Sequence, residues 1–211
     1  MIILSHRGYW RTKAEQNRKS AFQRSWRMGF GIETDIRDVN GSLVVAHDPP
    51  KVGEMSLDEF FQLYSDSGRG MRLALNIKSD GIANLLYKAI RRYRITDYFV
   101  FDMSVPGTLP YLARGMKVFA RQSEEEGKPS FYSRAVGIWM DAFYGDWVTE
   151  RSVAAHARVG KAVCVVSPEL HGRAPDALWT RLAKIPHRYH KDVMLCTDYP
   201  ARARKYFDEP H

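Results

Sequence analysis

GIETDIRDVNGSLVVAHDPP, residues 31–50, has the composition of a strand that turns tightly and returns along itself. Glu33 and Asp35 are two positions apart in the first strand. Because successive side chains of a strand point to opposite faces, both carboxylates project from the same face. Two neighbouring carboxylates on one face are typical of a site for a hard metal ion. Taken alone, such a pair more often lies at a solvated strand edge or beside an arginine, so the metal-site interpretation depends on the rest of the chain.

The centre of this stretch predicts a β-hairpin. Asn40-Gly41 suits a type I′ turn, in which both central residues have positive φ. The returning strand, residues 43–46, leads into His47 and Asp48. We therefore expect the hairpin to bring an imidazole, a possible acid/base group, to the same end of the strand as the carboxylates.

Apolar runs with strand character recur along the whole chain, most of them followed by a helical or turn-rich segment. Besides the hairpin they cover residues 2–5, 73–77, 98–103, 117–121, 136–140, 162–166 and 193–196. About eight β-then-α units predict an α/β fold, a compact (β/α)₈ TIM barrel with a β-hairpin after strand 2. A doubly wound open sheet is the alternative. The length of 211 residues predicts one domain, residues 1–211.

Polar side chains follow the predicted strands at their carboxyl ends, where the active sites of such barrels are built. They are His6 and Arg7, Glu33 and Asp35, Asn76 and Lys78, Asp102, Glu124, Asp141 and Asp198.

The composition limits the possible partners and compartment. The net charge of +8 favours anionic partners, but no nucleic-acid-binding motif is visible, so nucleic acid is not expected. No apolar run reaches the length of a membrane span, and the chain opens directly on a strand-like run, which predicts a cytoplasmic protein. Cys164 and Cys196 lie in separate apolar runs and are expected to be reduced and buried.

Taken together, these motifs resemble the glycerophosphodiester phosphodiesterase family, including its sphingomyelinase D-like branch. The resemblance extends from His6 to Pro200. It is carried by HRG at 6–8, Asn17 ahead of Phe22, G-x-E-x-D at 31–35, N-G followed by V-x-x-H-D at 40–48, I-K at 77–78, F-D at 101–102 and T-D-Y-P at 197–200.

The resemblance implies a TIM barrel that acts on a small phosphodiester substrate, with a role in lipid metabolism. Glu33 and Asp35 would bind Mg²⁺ or Ca²⁺. His6 and His47 would form the acid/base pair, and Arg7 and Lys78 would contact the phosphate. Attack by water and attack by a neighbouring hydroxyl of the substrate, which gives a cyclic phosphate, both remain open.

Two departures from the family pattern affect the expected site. Asn76 stands where the family usually has a third acidic metal ligand, and Asp141 is our candidate for the missing carboxylate, although it could equally cap a helix or pair with an arginine. Residues 49–72 are too few for the helical insertion that many members carry. Trp139 could supply an apolar wall for the substrate or simply belong to the core.

We therefore expect a metal-dependent phosphodiesterase acting on a glycerophosphodiester, a lysophospholipid or a phosphate-linked polysaccharide precursor. One alternative is a catalytically weakened protein that binds phosphate esters without cleaving them, because of Asn76. Another is a protein that uses its basic surface to hold nucleic acid or an anionic membrane.

Overall fold

The computed structural model describes residues 1–209. The strands are β1 (Ile2–His6), β2 (Gly31–Val39), β3 (Ser42–Val45), β4 (Leu73–Ile77), β5 (Tyr98–Phe101), β6 (Phe119–Gln122), β7 (Gly137–Met140), β8 (Ala162–Val166) and β9 (Val193–Thr197). The helices are α1 (Lys19–Arg27), α2 (Leu57–Ser67), α3 (Ala83–Arg92), α4 (Val105–Ala113), α5 (Glu150–Arg158), α6 (Asp176–Ala183) and α7 (Pro200–Asp208).

The strands form a sheet in the order β5-β4-β2-β1-β9-β8-β7-β6, and β3 pairs with β2 outside this series. Apart from that hairpin strand, each strand neighbours the one that precedes or follows it in the chain, and the last strand returns beside the first. A doubly wound sheet reverses direction partway along the chain instead. The fold is therefore an α/β barrel of the (β/α)₈ type with a hairpin after its second strand, as predicted.

The chain divides into two compact units, Ser5–Val118 and a second unit made of Met1–Leu4 with the chain from Phe119 onward. In the first unit, aromatic side chains of α1 and α2 pack together, with the rings of Phe22 and Phe60 4.7 Å apart. This contact uses the apolar faces that the helical periodicity predicts. In the second unit, Trp179 is fully buried and donates to Ser167 Oγ at 2.9 Å.

The predicted hairpin is confirmed. Asn40 has φ 50° and Gly41 has φ 77°, as a type I′ turn requires, and Val39 pairs directly with Ser42. The antiparallel register also pairs Ile36 with Val45, so the apolar residues of the returning strand face the core.

Helix ends follow local sequence signals. Ser56 caps α2 by accepting a hydrogen bond from the backbone of Glu59 at 3.1 Å, and Gly29 ends α1 with φ 71°. Both ends agree with the sequence patterns. Cys164 and Cys196 are buried, and neither forms a disulfide bond within residues 1–209, as predicted. None of the helices within residues 1–209 is long and apolar enough to cross a membrane.

Candidate active site

Two parallel strands of the first unit bring the predicted carboxylates and Asn76 together. In the register of β2 and β4, Asp35 lies directly opposite Asn76. Glu33 and Asp35 are 2% and 1% exposed, although a charged carboxylate is rarely buried without a partner. Both carboxylates project from one face, as expected, since Oε2 of Glu33 accepts from the backbone N–H of Arg7 at 3.4 Å and Oδ2 of Asp35 lies 3.3 Å from Nε of the same residue.

The chain turns sharply after β1 because Arg7 and Gly8 both have positive φ, 55° and 85°. Gly8 has no substitute here, since a Cβ at this position would lie 2.8 Å from Cβ of Ala21. The turn directs the backbone N–H of Arg7 to the carbonyl of Glu33 at 2.9 Å. It thereby places the HRG residues beside Glu33, in the first half of β2.

From this turn, two basic side chains reach the carboxylates. Nε2 of His6 lies 3.9 Å from Oε2 of Glu33, and Nε of Arg7 lies 3.3 Å from Oδ2 of Asp35. The Nε–H of Arg7 is buried and makes no hydrogen bond within residues 1–209, so the contact with Asp35 is an ion pair without hydrogen-bond geometry.

Asn17 links the turn to β2. Its backbone N–H donates to the carbonyl of Arg7 at 2.9 Å, its Nδ2 donates to Oδ2 of Asp35 at 2.9 Å, and its Oδ1 accepts from the hydroxyl of Thr34 at 2.8 Å. Asn17 is part of the family resemblance, but no role was expected for it. Asn17 has a left-handed backbone conformation, with φ 57°. Asparagine tolerates this conformation better than most residues, so the residue type at position 17 was the one sequence feature that could have indicated a structural role.

Lys78 follows β4 and is shared between two carboxylates. Its Nζ lies 2.9 Å from Oδ2 of Asp102 and 3.9 Å from Oδ1 of Asp35. Asp102 was expected as a polar residue at a strand end and as part of the F-D motif, without a role of its own. The structure shows that it orients the lysine predicted to contact phosphate.

The site is short of positive charge. Burial, together with the nearby charge of Asp35, raises the pKa of Glu33 to about 7, while His6, Arg7 and Lys78 oppose this rise. The pKa of a carboxyl is raised when its surroundings do not compensate the charged form. A bound cation would supply the missing compensation.

The donor atoms fit a hard cation. Nδ2 of Asn76 donates to Oε1 of Glu33 at 3.3 Å, which leaves Oδ1 of Asn76 buried and without a partner among residues 1–209. Two carboxylates and an amide oxygen are ligands that Mg²⁺ and Ca²⁺ accept. Across the described chain, no three His, Cys, Asp or Glu side chains come close enough to hold a metal ion between them. Asn76, together with water and substrate, could supply further ligands of such a site.

His47 lies just beyond β3, outside the buried cluster. Its side chain is 43% exposed, its Nδ1 lies 2.8 Å from Oδ1 of Asp48, and its carbonyl accepts from Nε of Arg37 at 2.8 Å. The hydrogen bond and charge of His47 lower the pKa of Asp48, and Arg7 contributes to the same shift. Asp48 therefore orients the imidazole and leaves its Nε2 available.

Two predicted site residues belong to the second unit. Asp141 follows β7, and its Oδ1 lies 2.6 Å from Nε2 of His171, a residue that the sequence analysis did not single out. Its partner is thus a histidine, neither the arginine nor the helix end considered as alternatives. Trp139 is buried within β7. Metal binding by Asp141 and substrate contact by Trp139 stay predictions.

Several solved structures that superpose on this chain are described as glycerophosphodiester phosphodiesterases. A candidate glycerophosphodiester phosphodiesterase from Galdieria sulphuraria superposes with a TM-score of 0.79 at 18% identity, covering 99% of this chain and 98% of that one. The glycerophosphodiester phosphodiesterase of Agrobacterium tumefaciens gives a TM-score of 0.70 at 17% identity, covering 98% of both chains. The chain has the fold of the glycerophosphodiester phosphodiesterases.

The glycerophosphodiester phosphodiesterase of Thermotoga maritima also superposes, with a TM-score of 0.68 at 16% identity over 97% of this chain and 98% of that one. The sequence matches no model of a protein family, and no curated protein sequence is significantly similar to it. The phosphodiesterase fold therefore extends over nearly the whole chain at low sequence identity.

Proposed function

We propose that the protein is a metal-dependent phosphodiesterase that cleaves a small glycerophosphodiester-like substrate. The observation that carries the proposal is the buried pair Glu33 and Asp35, with Arg7 and Lys78 beside it and the unpartnered amide oxygen of Asn76 next to it. The buried carboxylates suit a metal cation, and the neighbouring arginine and lysine suit a phosphate group. The phosphodiesterase fold supports the same reaction class.

In this proposal, Arg7 and Lys78 bind the phosphate. The side chain of Arg7 is 20% exposed and Nη1 donates to Oε1 of Gln16 at 3.4 Å, which leaves further guanidinium N–H groups, and Lys78 has three donors, of which Asp102 uses one. Both side chains would offset the charge that builds on the equatorial oxygens as the nucleophile approaches. Trp139 remains our candidate for an apolar contact with the substrate.

His6 and His47 would share the proton transfers. One would remove the proton of the attacking hydroxyl or water, and the other would protonate the leaving oxygen. Glu33 lies beside His6 and Asp48 beside His47, so each imidazole has a carboxylate that can stabilise its protonated form. A Mg²⁺ or Ca²⁺ ion held by Glu33, Asp35 and Asn76 would withdraw charge from the phosphate.

A catalytically weakened phosphate-ester-binding protein is the second candidate. It is favoured by the ion pairs that already occupy Arg7 and Lys78, and by the lack, among residues 1–209, of a third acidic or histidine side chain close enough to share a metal ion with Glu33 and Asp35. Such a protein would bind phosphate esters and release them unchanged.

Metal-dependent turnover separates the two candidates. Purified protein would be assayed against glycerophosphodiesters, lysophospholipids and bis(p-nitrophenyl) phosphate, first with EDTA and then with Mg²⁺ or Ca²⁺ restored. His6→Ala and His47→Ala should each lower kcat by about 10²–10⁴-fold, the usual contribution of a general acid or base. His187→Ala, at an exposed histidine of the second unit, is the matched control and should leave kcat unchanged.

The opposite outcomes are equally specific. Turnover that persists in EDTA would reject the metal requirement, and turnover that survives His6→Ala would reject this acid/base assignment. Binding of the product phosphate ester without turnover of any substrate would establish the second candidate. For Asp141, a Ca²⁺ affinity unchanged by Asp141→Asn would reject it as a ligand.

A further inference from the structure

A basic cleft of about 590 Å³ opens in the first unit, away from the candidate active site. It lies at the C-terminal ends of α3 and α4 and at Tyr98, the first residue of β5. The candidate site lies at the carboxyl end of β4, where Asn76 pairs with Asp35 of β2. Because β4 and β5 are parallel, the cleft and the candidate site lie at opposite ends of these strands.

The lining of this cleft is strongly positive. Four cations and two tyrosines contribute to it, and none of its lining residues is acidic. They are Arg91, Arg94, Arg114, Lys117, Tyr87 and Tyr98. Four positive charges around one cavity repel each other, and an anion bound between them would offset this repulsion.

Two of the four cationic side chains of the cleft donate hydrogen bonds to backbone carbonyls. Arg114 donates to the carbonyl of Pro110 at 2.9 Å, and Lys117 donates to the carbonyl of Thr96 at 2.6 Å. These bonds use one donor of each side chain, while a guanidinium has five N–H groups and an ammonium has three. Both side chains are thus held in place with donors to spare.

The guanidinium groups of Arg91 and Arg94 have no hydrogen-bond or ion-pair partner within residues 1–209. Arg94 has φ 53°, a left-handed conformation that is unusual for a large side chain. It occupies the position after the C-cap of α3, where its N–H bonds to the carbonyl of Arg91 and the next N–H, of Ile95, bonds to that of Ile90. This arrangement is a Schellman motif, in which glycine is the residue of lowest strain.

The other helices that end in this way use glycine. Gly29 after α1, Gly115 after α4 and Gly160 after α5 have φ values of 71°, 66° and 78° and make the same pair of backbone bonds. Gly115 lines the same cleft as Arg94. Arginine at this position is therefore less favourable than glycine for the conformational stability of the chain, and its guanidinium lines the cleft.

We propose that this cleft binds a small compound that carries two or more linked phosphate groups. Linked phosphates supply several charges close together, and arginine binds phosphate oxygens with paired N–H donors. The volume lies within the range of small-molecule sites. The tyrosines would pack against an organic group attached to the phosphates, such as a nucleoside.

The test is calorimetric titration with inorganic tripolyphosphate and with ATP, in EDTA, at about 50 mM and about 300 mM sodium chloride, because salt screens exposed charges. Arg94→Gly should weaken tripolyphosphate binding by about fivefold or more, as expected for loss of one charge-assisted contact. The same variant should raise the midpoint of thermal unfolding, which excludes misfolding as the cause. Arg91→Ala should weaken binding similarly.

Two variants provide the controls. Lys88→Ala removes one positive charge from α3 outside the cleft lining, and Lys78→Ala alters the candidate active site. Both should bind tripolyphosphate as the unmodified protein does. Tighter binding of ATP would show that the tyrosines contact the nucleoside, and equal binding would show that the linked phosphates suffice; either result supports the proposal.

Three outcomes would overturn it. They are no binding at low salt, binding unaffected by Arg94→Gly, and an equal loss in Lys88→Ala, which would indicate unspecific attraction to the net charge. Loss of binding in Lys78→Ala would place the anion in the candidate active site and would equally overturn the proposal.

Discussion

Nδ2 of Asn76 donates to Oε1 of Glu33, and Oδ1 of Asn76 is buried without a partner among residues 1–209. The amide thus satisfies one carboxylate oxygen and presents an acceptor of its own. A carboxylate at this position would add a third negative charge to a buried pair that already raises the pKa of Glu33 to about 7. In the proposed metal site, the residue at position 76 would therefore balance stability against affinity for a cation.

Asn76→Asp should show this balance directly. In EDTA, the added carboxylate should lower the free energy of unfolding by about 2–4 kcal/mol, the order of an uncompensated buried charge. Ca²⁺ or Mg²⁺ should restore the stability and bind more tightly than to the unmodified protein. Urea unfolding with and without metal measures both effects. Asn76→Leu is the control and should show no gain from metal; a metal affinity unchanged by Asn76→Asp would contradict ligation at this position.

Gly8→Ala should be strongly destabilising. The positive φ costs about 1–2 kcal/mol for a residue with a Cβ, and the contact with Ala21 adds about 1–3 kcal/mol of overpacking. Gly41→Ala is the matched control, since Gly41 also has positive φ but a Cβ there would meet no atom within 4 Å. It should show only the backbone cost. Equal losses in urea unfolding would mean that the close packing on α1 is unimportant.

Two variants separate the contributions that Asn17 makes to stability through its side-chain hydrogen bonds and through its backbone conformation. Asn17→Gly removes the hydrogen bonds to Asp35 and Thr34, which should cost about 1–3 kcal/mol because buried polar partners are left unpaired. Asn17→Ala removes the same bonds and adds the strain of a left-handed backbone, a further loss of about 1 kcal/mol. Chemical denaturation measures both variants. If alanine were as stable as glycine, the backbone strain would be relieved by local rearrangement.

Glu124 predicts a pH dependence in the second unit. Burial raises the pKa of its carboxyl, but hydrogen bonds from the backbone N–H groups of residues 143–145 outweigh this and lower the pKa to about 2. A lowered pKa stabilises the folded state above the ordinary value of 4.5, and the stabilisation is lost as the pH falls towards 2.

The variant that tests this is Glu124→Gln. It should be less stable than the unmodified protein at pH 7, by a modest amount because solvent screens an exposed carboxylate. The difference should shrink between about pH 4.5 and pH 2, as the glutamate becomes protonated. Unfolding by urea at several pH values measures it. A difference that stays constant with pH would assign the effect to shape instead of charge.

Much of the fold could be predicted because its signals are local. The Asn40-Gly41 turn follows from the steric freedom of two residues, and the Ser56 cap from a side chain within reach of its own helix. The alternation of apolar runs with helical segments led to the barrel, because the number and order of units restrict the possible topologies. These features need no information about distant partners.

The pairings within the site required the folded chain. Lys78 with Asp102, Asn17 with Asp35 and Asp141 with His171 join residues from 18 to 30 positions apart. No local pattern specifies them, because they depend on the register of strands and on where each turn directs its side chains. Asp141 illustrates the difference: its position at a strand end was predictable, but its histidine partner was not.

The sequence by itself determined the order of the elements, the hairpin and the set of polar residues at the strand ends, since these follow from short-range sterics and the periodicity of apolar side chains. Only the tertiary structure decided how deeply Glu33 and Asp35 are buried and that Oδ1 of Asn76 has no hydrogen-bond partner among residues 1–209. It also decided that Arg94 lines a cleft together with the end of α4. Burial and electrostatic surroundings are properties of packed neighbours, and those neighbours come from distant parts of the chain.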